Sequence, residues 1–266
     1  MAYVHPVQLT QTMLTASGTK AALSAGQVLL RSFLSGALLG ISTTLAFAAN
    51  AQGLPPIVGA ILFPVGFIMI ILLGLELVTG SFAVVPLALI GRRGTLLQVL
   101  SNLSFGYIGC LLGSLFYAAV YAAVQTQFHH VAPTPVALLL NSAAEAKTLG
   151  YMKMGHTGLA ISFLKGVLCN WMVCMGSILA FSSTSSTGKI LACWLPVMTF
   201  FAQGFEHSVV NMFVIPAGIM MGAKVSVYDW LVWNQIPVTL GNIVGGLLLV
   251  GIPLYLAYGR PKPERA

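Results

Sequence analysis

The sequence predicts an all-α membrane protein: six transmembrane helices in two inverted three-helix repeats, the second and fifth helices broken. Three observations predict it. The chain carries only 12 Lys and Arg and 5 Asp and Glu in 266 residues, 58% of which are apolar, a balance suited to lipid rather than water. Its apolar residues come in continuous runs rather than in the alternation of a membrane barrel. Finally, its two halves carry the same short motifs in the same order.

Taken in order, residues 1–27 lack a short apolar core followed by a small-residue cleavage site, which argues against a removed signal peptide. They read as an amphipathic segment on the membrane surface ahead of Arg31. Apolar segments follow at about 28–48, 57–91, 97–125, 157–183, 190–223 and 229–258, giving a channel-sized domain over 28–258 and a tail at 259–266. The second and fifth segments hold a single formal charge each, Glu76 and Glu206. As unbroken helices they would extend about 50 Å across an apolar core of about 30 Å, yet neither can hold two crossings and a turn. A helix interrupted halfway, its loose backbone facing protein or a cavity, resolves the length.

Six crossings put both termini on one side. That side would hold Lys20, Arg31, Arg92, Arg93, Lys189, Arg260, Lys262 and Arg265, against Lys147, Lys153 and Lys224 on the other. The excess predicts cytoplasmic termini in a multi-pass cell-membrane protein. The connection 127–156 is then outside or, in its latter part, folded back into the protein. Lys165, within the fourth segment, reads as snorkelling or pairing at an interface.

The stretch "GLELVTGSFAVVP" (74–86) matches "GFEHSVVNMFVIP" (204–216) without a gap, placing Gly74 over Gly204, Glu76 over Glu206 and Pro86 over Pro216. "SFLSGALLG" (32–40) matches "SFLKGVLCN" (162–170) at the same offset of 130, and "GYIGCLLG" (106–113) resembles "GNIVGGLL" (241–248). These define repeats at about 28–126 and 157–258. An odd number of spans per repeat inverts the second half, so the two breaks meet at the repeat interface. The glutamates are expected to be structural, each accepting hydrogen bonds from backbone N–H groups freed at its break. Half-helix N-termini at the breaks, two turns ahead of Pro86 and Pro216, would hold an anion transiently.

His207 is the sharpest functional candidate, because its repeat-mate is the apolar Leu77 and symmetry alone does not require it. Its alternative is a neutral histidine fixed in a polar packing cluster. Asn170 either lines the path or bridges backbone. Thr79 offers a hydroxyl at the first break, or caps the half-helix there. Lys153, ahead of the fourth span, either concentrates anions at the outer mouth or is a solvated loop lysine. Phe63 and Phe200 precede the breaks as candidate constrictions, or simply pack.

The basic residues are scattered, with no cluster suited to nucleic acid. No nucleophile and base, metal cluster, phosphate loop or cofactor motif is legible, so neither an enzyme nor a resident metal or cofactor is expected. Cys110, Cys169, Cys174 and Cys193 all lie in apolar segments and read as small hydrophobes.

"GFEHSVVNMF", with "LELVTGS", "KMGHT", "LCNWMVC" and "PVTLGNIVGG", resembles the formate/nitrite transporter family over about residues 28–258. The resemblance implies a homopentamer of aquaporin-like protomers that pass small monovalent weak-acid anions, formate or nitrite first and lactate or hydrosulfide by extension. It also implies that His207 is the central histidine, Asn170 the pore asparagine, Thr79 the loop threonine and Lys153 the lysine ahead of the family's "HHT" motif. Phe63, Phe67 and Phe200 become constriction residues, joined by Leu77 and by Val78, which stands where the family commonly has Phe. One histidine of "HHT" is Gly155. The expectation is pH-dependent, proton-coupled passage assisted by His207, the rivals being a neutral-solute or ammonia channel, an intramembrane enzyme and a scaffold subunit.

Overall fold

The computed structural model describes residues 3–259 and is all-helical, without a strand among the described residues. Among the described residues, four helices are long and apolar enough to cross a membrane: α2 (Ala25–Ala51), α5 (Leu96–Thr126), α8 (His156–Ser182) and α11 (Val227–Gly259). Four shorter apolar helices come in two pairs, α3 (Pro56–Leu72) with α4 (Val78–Ile90) and α9 (Ser186–Ala202) with α10 (Ser208–Met220). Three further helices are α1 (Pro6–Ala21), α6 (Pro135–Lys147) and α7 (Leu149–Lys153).

Polar caps start most of these helices. Ser24 with Gln27 and Thr95 with Gln98 close reciprocal capping boxes on α2 and α5, and Thr134 accepts from Ala137 N–H at the start of α6. Pro135, at the first turn of α6, forgoes a donor that would be unpaired there in any case. The start of α4 has no side-chain cap, a difference that matters at the site.

The predicted breaks are present, at residues 73–77 and 203–207, and they share one geometry. In the first, Leu75 N–H reaches Ile70 O and Gly74 N–H reaches Ile71 O. In the second, Phe205 N–H reaches Phe200 O and Gly204 N–H reaches Phe201 O. This is the double hydrogen bond that ends a helix around a left-handed residue, and glycine supplies it at φ 62° and 63°.

The half-helices after the breaks form the centre. Every residue of α10 from Ser208 to Gly218 is buried, as are Thr79, Phe82, Val84, Leu87 and Ala88 of α4. The long helices surround them and turn Leu97, Leu112, Phe116, Leu164 and Leu240 outward. A helix buried on all sides is apolar all round, which is why the fifth segment shows no polar face in sequence. Close backbone approach holds the outer pairs. A Cβ at Gly113 of α5 would overlap Phe33 O of α2, and one at Gly245 of α11 would overlap Val167 O of α8.

One expectation changes. Residues 3–21 are not a free surface segment, because α1 buries Leu9, Met13, Leu14 and Ala21 against the protein. Among its contacts are α4 and the end of α11, and Val4 N–H bonds Ser182 O at the end of α8. The latter part of the 127–156 connection does fold back: α6 packs on α10 and buries Ala137, Leu140 and Ala144. Arg260, Lys262 and Arg265 of the expected tail lie outside the described residues.

Candidate functional site

The two breaks meet through one contact. Thr79 Oγ1, at the start of α4, lies 3.0 Å from His207 Nε2, at the start of α10, and both residues are buried. Val210 N–H donates to His207 Nδ1 at 3.1 Å, so the imidazole caps its own helix. An accepting Nδ1 places the ring proton of a neutral histidine on Nε2, which therefore donates to Thr79 Oγ1. The hydroxyl proton of Thr79 has no acceptor among the described residues and is left for a third party.

Aromatic rings close over this pair. Phe200 stacks on the His207 ring with centroids 5.6 Å apart, and Phe63 meets Phe200 edge-on at 5.7 Å. Phe63 also stacks on Phe201 at 4.0 Å. Nothing in the sequence singles out Phe201, although it adjoins Phe200 directly. Phe67, Leu77 and Val78 are buried within the same apolar core.

Asn170 is buried, with its amide nitrogen committed to backbone: Nδ2 donates to Thr79 O at 3.0 Å and to Asn242 O at 2.6 Å. The nitrogen thus bridges backbone, one of its two readings, while Asn170 Oδ1 is buried without a hydrogen-bond partner among the described residues. Cys174 Sγ donates to the same Thr79 carbonyl at 3.3 Å.

The glutamates are held differently from expectation. No backbone N–H donates to either carboxylate among the described residues. Instead Lys20 of α1 donates to both oxygens of Glu76 at 2.7 and 2.8 Å, supported by Ser81 Oγ at 3.3 Å. Lys147 of α6 donates to Glu206 at 2.7 Å, joined by Tyr151 OH at 2.8 Å and by Asn211 and Asn234 Nδ2 at 2.7 and 3.3 Å. Charged partners win because a carboxylate this deep needs neutralisation as well as hydrogen bonds. The free N–H groups of a short backbone break supply only partial charge.

In the charge balance of the sequence, Lys20 and Lys147 count only as charges on opposite faces. The signal was in the sequence: they stand 127 residues apart, close to the repeat offset of 130. The two halves agree further, since Asn102 Nδ2 donates to Lys20 O and Asn234 Nδ2 donates to Lys147 O.

The two half-helix N-termini are unequal. At the second, Val210 N–H is taken by His207 and Ser208 N–H by Asn242 Oδ1, so two of the donors expected to be free there are occupied. At the first, no side chain caps α4. A cavity of about 580 Å³ opens onto that first break, walled by α1, Leu75, Glu76, Leu77, Gly80, Ser81 and Lys189. Lys153 is exposed at the end of α7 and makes no side-chain hydrogen bond or ion pair among the described residues, so it is not drawn into the centre. Pro86 ends the first stretch of α4, whereas Pro216 lies inside α10.

The model of the formate/nitrite transporter family matches residues 7–256. The chain is 32% identical over 273 residues to the uncharacterized transporter YrhG of Bacillus subtilis, covering 100% of this chain and 97% of that one. It is 35% identical over 250 residues to the formate channel FocA of Haemophilus influenzae, covering 83% and 84%. Among solved structures it resembles an FNT family ion channel at 27% identity and a TM-score of 0.82, covering 96% of this chain and 99% of that one. A pentameric formate channel with formate bound matches at 28% identity and a TM-score of 0.74, covering 89% and 98%.

Proposed function

The chain belongs to the formate/nitrite transporter family, a family of channels and transporters rather than enzymes, and from that premise we propose that it passes small monovalent weak-acid anions, formate or nitrite, through the point where its two breaks meet. The observation that carries this reading is the 3.0 Å contact between Thr79 and His207, which leaves a hydroxyl donor beside an aromatic constriction. The uncapped start of α4 supplies further N–H donors and the positive end of a helix.

The supporting physics is desolvation. Leaving water for an apolar constriction costs a carboxylate several kcal/mol. The same loss of water raises the anion's affinity for a proton. A weak-acid anion held by Thr79 can therefore take a proton from vestibule water and pass Phe200 and Phe63 as the neutral acid. His207 acts as the neutral donor that orients Thr79, since a second ring proton on Nδ1 would expel the Val210 N–H from its cap. Exposed Lys153 adds positive potential at one mouth. Lactate and hydrosulfide share the weak-acid chemistry.

Six crossings in two inverted halves fit the paired breaks and the paired Lys–Glu contacts. With Lys20 and Lys147 neutralised, seven basic residues remain on the side of the termini against two on the other, which favours cytoplasmic termini. The pentameric structural neighbour supports a homopentamer with one pathway in each protomer.

The test is flux in proteoliposomes of defined pH gradient, with formate, nitrite and lactate offered in turn. Uptake that follows the anion gradient and rises with acidity on the outside is expected. Flux indifferent to the anion gradient would instead mark a neutral-solute or ammonia channel.

A further inference from the structure

His207 is held by more than its ring contacts. Asn242, on α11, places its side chain across the backbone on both sides of it. Asn242 Nδ2 donates to Glu206 O at 3.0 Å, and Asn242 Oδ1 accepts from Ser208 N–H at 2.9 Å. The first carbonyl belongs to the peptide that enters His207 and the N–H to the peptide that leaves it. Since a residue has only two soft backbone dihedrals, one on each side of its Cα, a single side chain that grips both peptide planes fixes both. His207 is accordingly held extended, at φ −105° and ψ 120°.

The other hydrogen on Asn242 Nδ2 goes to Gly166 O at 2.9 Å, so every polar atom of this buried amide is used. Its own carbonyl accepts from Asn170 Nδ2, whose second bond holds Thr79 O. The two amides thus make a continuous brace from the backbone of His207 to the backbone of Thr79. The internal repeat adds an independent point. "GNIVGGLL" lies over "GYIGCLLG", so Asn242 stands where the first half has Tyr107, as His207 stands where it has Leu77. The half that carries the histidine also carries the amide that grips it.

We propose that Asn242 is a positioning residue for transport: it sets the backbone of His207 so that Nε2 meets Thr79, and it acts only through His207. This rests on the transport reading above, and the experiment separates the two. Wild type, Asn242→Asp, His207→Asn and the double variant are reconstituted and compared for formate flux. Aspartate keeps the shape and the acceptor but turns both donors into an acceptor. In parallel, 15N-histidine solid-state NMR of the same proteoliposomes reads the tautomer of His207, assigned among the five histidines by its absence in His207→Asn.

The expected result is a flux loss of at least about tenfold for Asn242→Asp alone, with less than about twofold further loss when it is added to His207→Asn. The NMR should show a single Nε2–H tautomer in wild type and a mixture in Asn242→Asp. Multiplying losses, or an unchanged tautomer, would overturn the proposal in favour of a merely structural amide. Should Asn242→Asp fail to assemble, Asn242→Ser removes both donors without adding charge and is judged by the same two criteria. Absence of wild-type formate flux would sink the transport reading alone, because the tautomer still decides the role of Asn242.

Discussion

Lys147 Nζ lies 2.7 Å from the Glu206 carboxylate, and Lys20 Nζ lies 2.7 Å from Glu76, with both carboxylates almost wholly buried and both lysines partly exposed. Each pair ties a short helix to the break it covers. Removing the lysine strands a buried charge. We expect Lys147→Met to destabilise the protein by about 3 to 5 kcal/mol, and Lys147→Met with Glu206→Gln to recover much of that loss. Thermal unfolding in detergent checks both; equal stability of the single and double variants would contradict it.

Gly74 and Gly204 sit at nearly the same left-handed φ, and a Cβ at either would meet nothing within 4 Å. The penalty of Gly→Ala there is therefore conformational alone, about 1 to 2 kcal/mol at each position. Asparagine tolerates that region better, so Gly204→Asn should lose less than Gly204→Ala. Stabilities from the same unfolding assay order the three proteins.

Thr79 is expected to serve through its hydroxyl. Thr79→Val preserves shape and deletes the donor, and formate flux should fall at least about tenfold, the worth of one hydrogen bond to a charged group. Thr79→Ser should retain most of the flux. Equal loss in both variants would point to packing of the methyl group instead.

Phe200 covers the His207 ring and meets Phe63. Phe200→Ala opens the constriction to water and lowers the cost of passing a bare anion. The variant should gain formate flux at alkaline pH, where the proposed passage as neutral acid would be slow, and so show a flatter pH profile than wild type. An unaltered profile would remove Phe200 from the barrier.

Lys153 is exposed and has no ion-pair partner to strand among the described residues. Lys153→Ala should leave stability unchanged and lower flux modestly at low salt, with the difference vanishing near 1 M salt, where the screening length is about 3 Å. A salt-independent loss would mean a direct contact with the permeant.

Much of this was legible in the chain itself. Run lengths, a single glutamate in each over-long segment and a repeated thirteen-residue motif determined that two helices are interrupted, and the departure of His207 from Leu77 singled out His207 as the functional candidate. Such features are local or periodic, and periodicity survives in one dimension. What only the tertiary structure decided was who meets whom. Lys20 reaches Glu76 across 56 positions, Lys147 reaches Glu206 across 59, and Asn242 reaches the peptides around His207 from 34 and 36 positions away. A buried carboxylate must find a countercharge and a broken backbone must find hydrogen-bond partners. The residues that satisfy them are chosen by packing, which brings α1, α6 and α11 against the breaks, and sequence spacing does not record it.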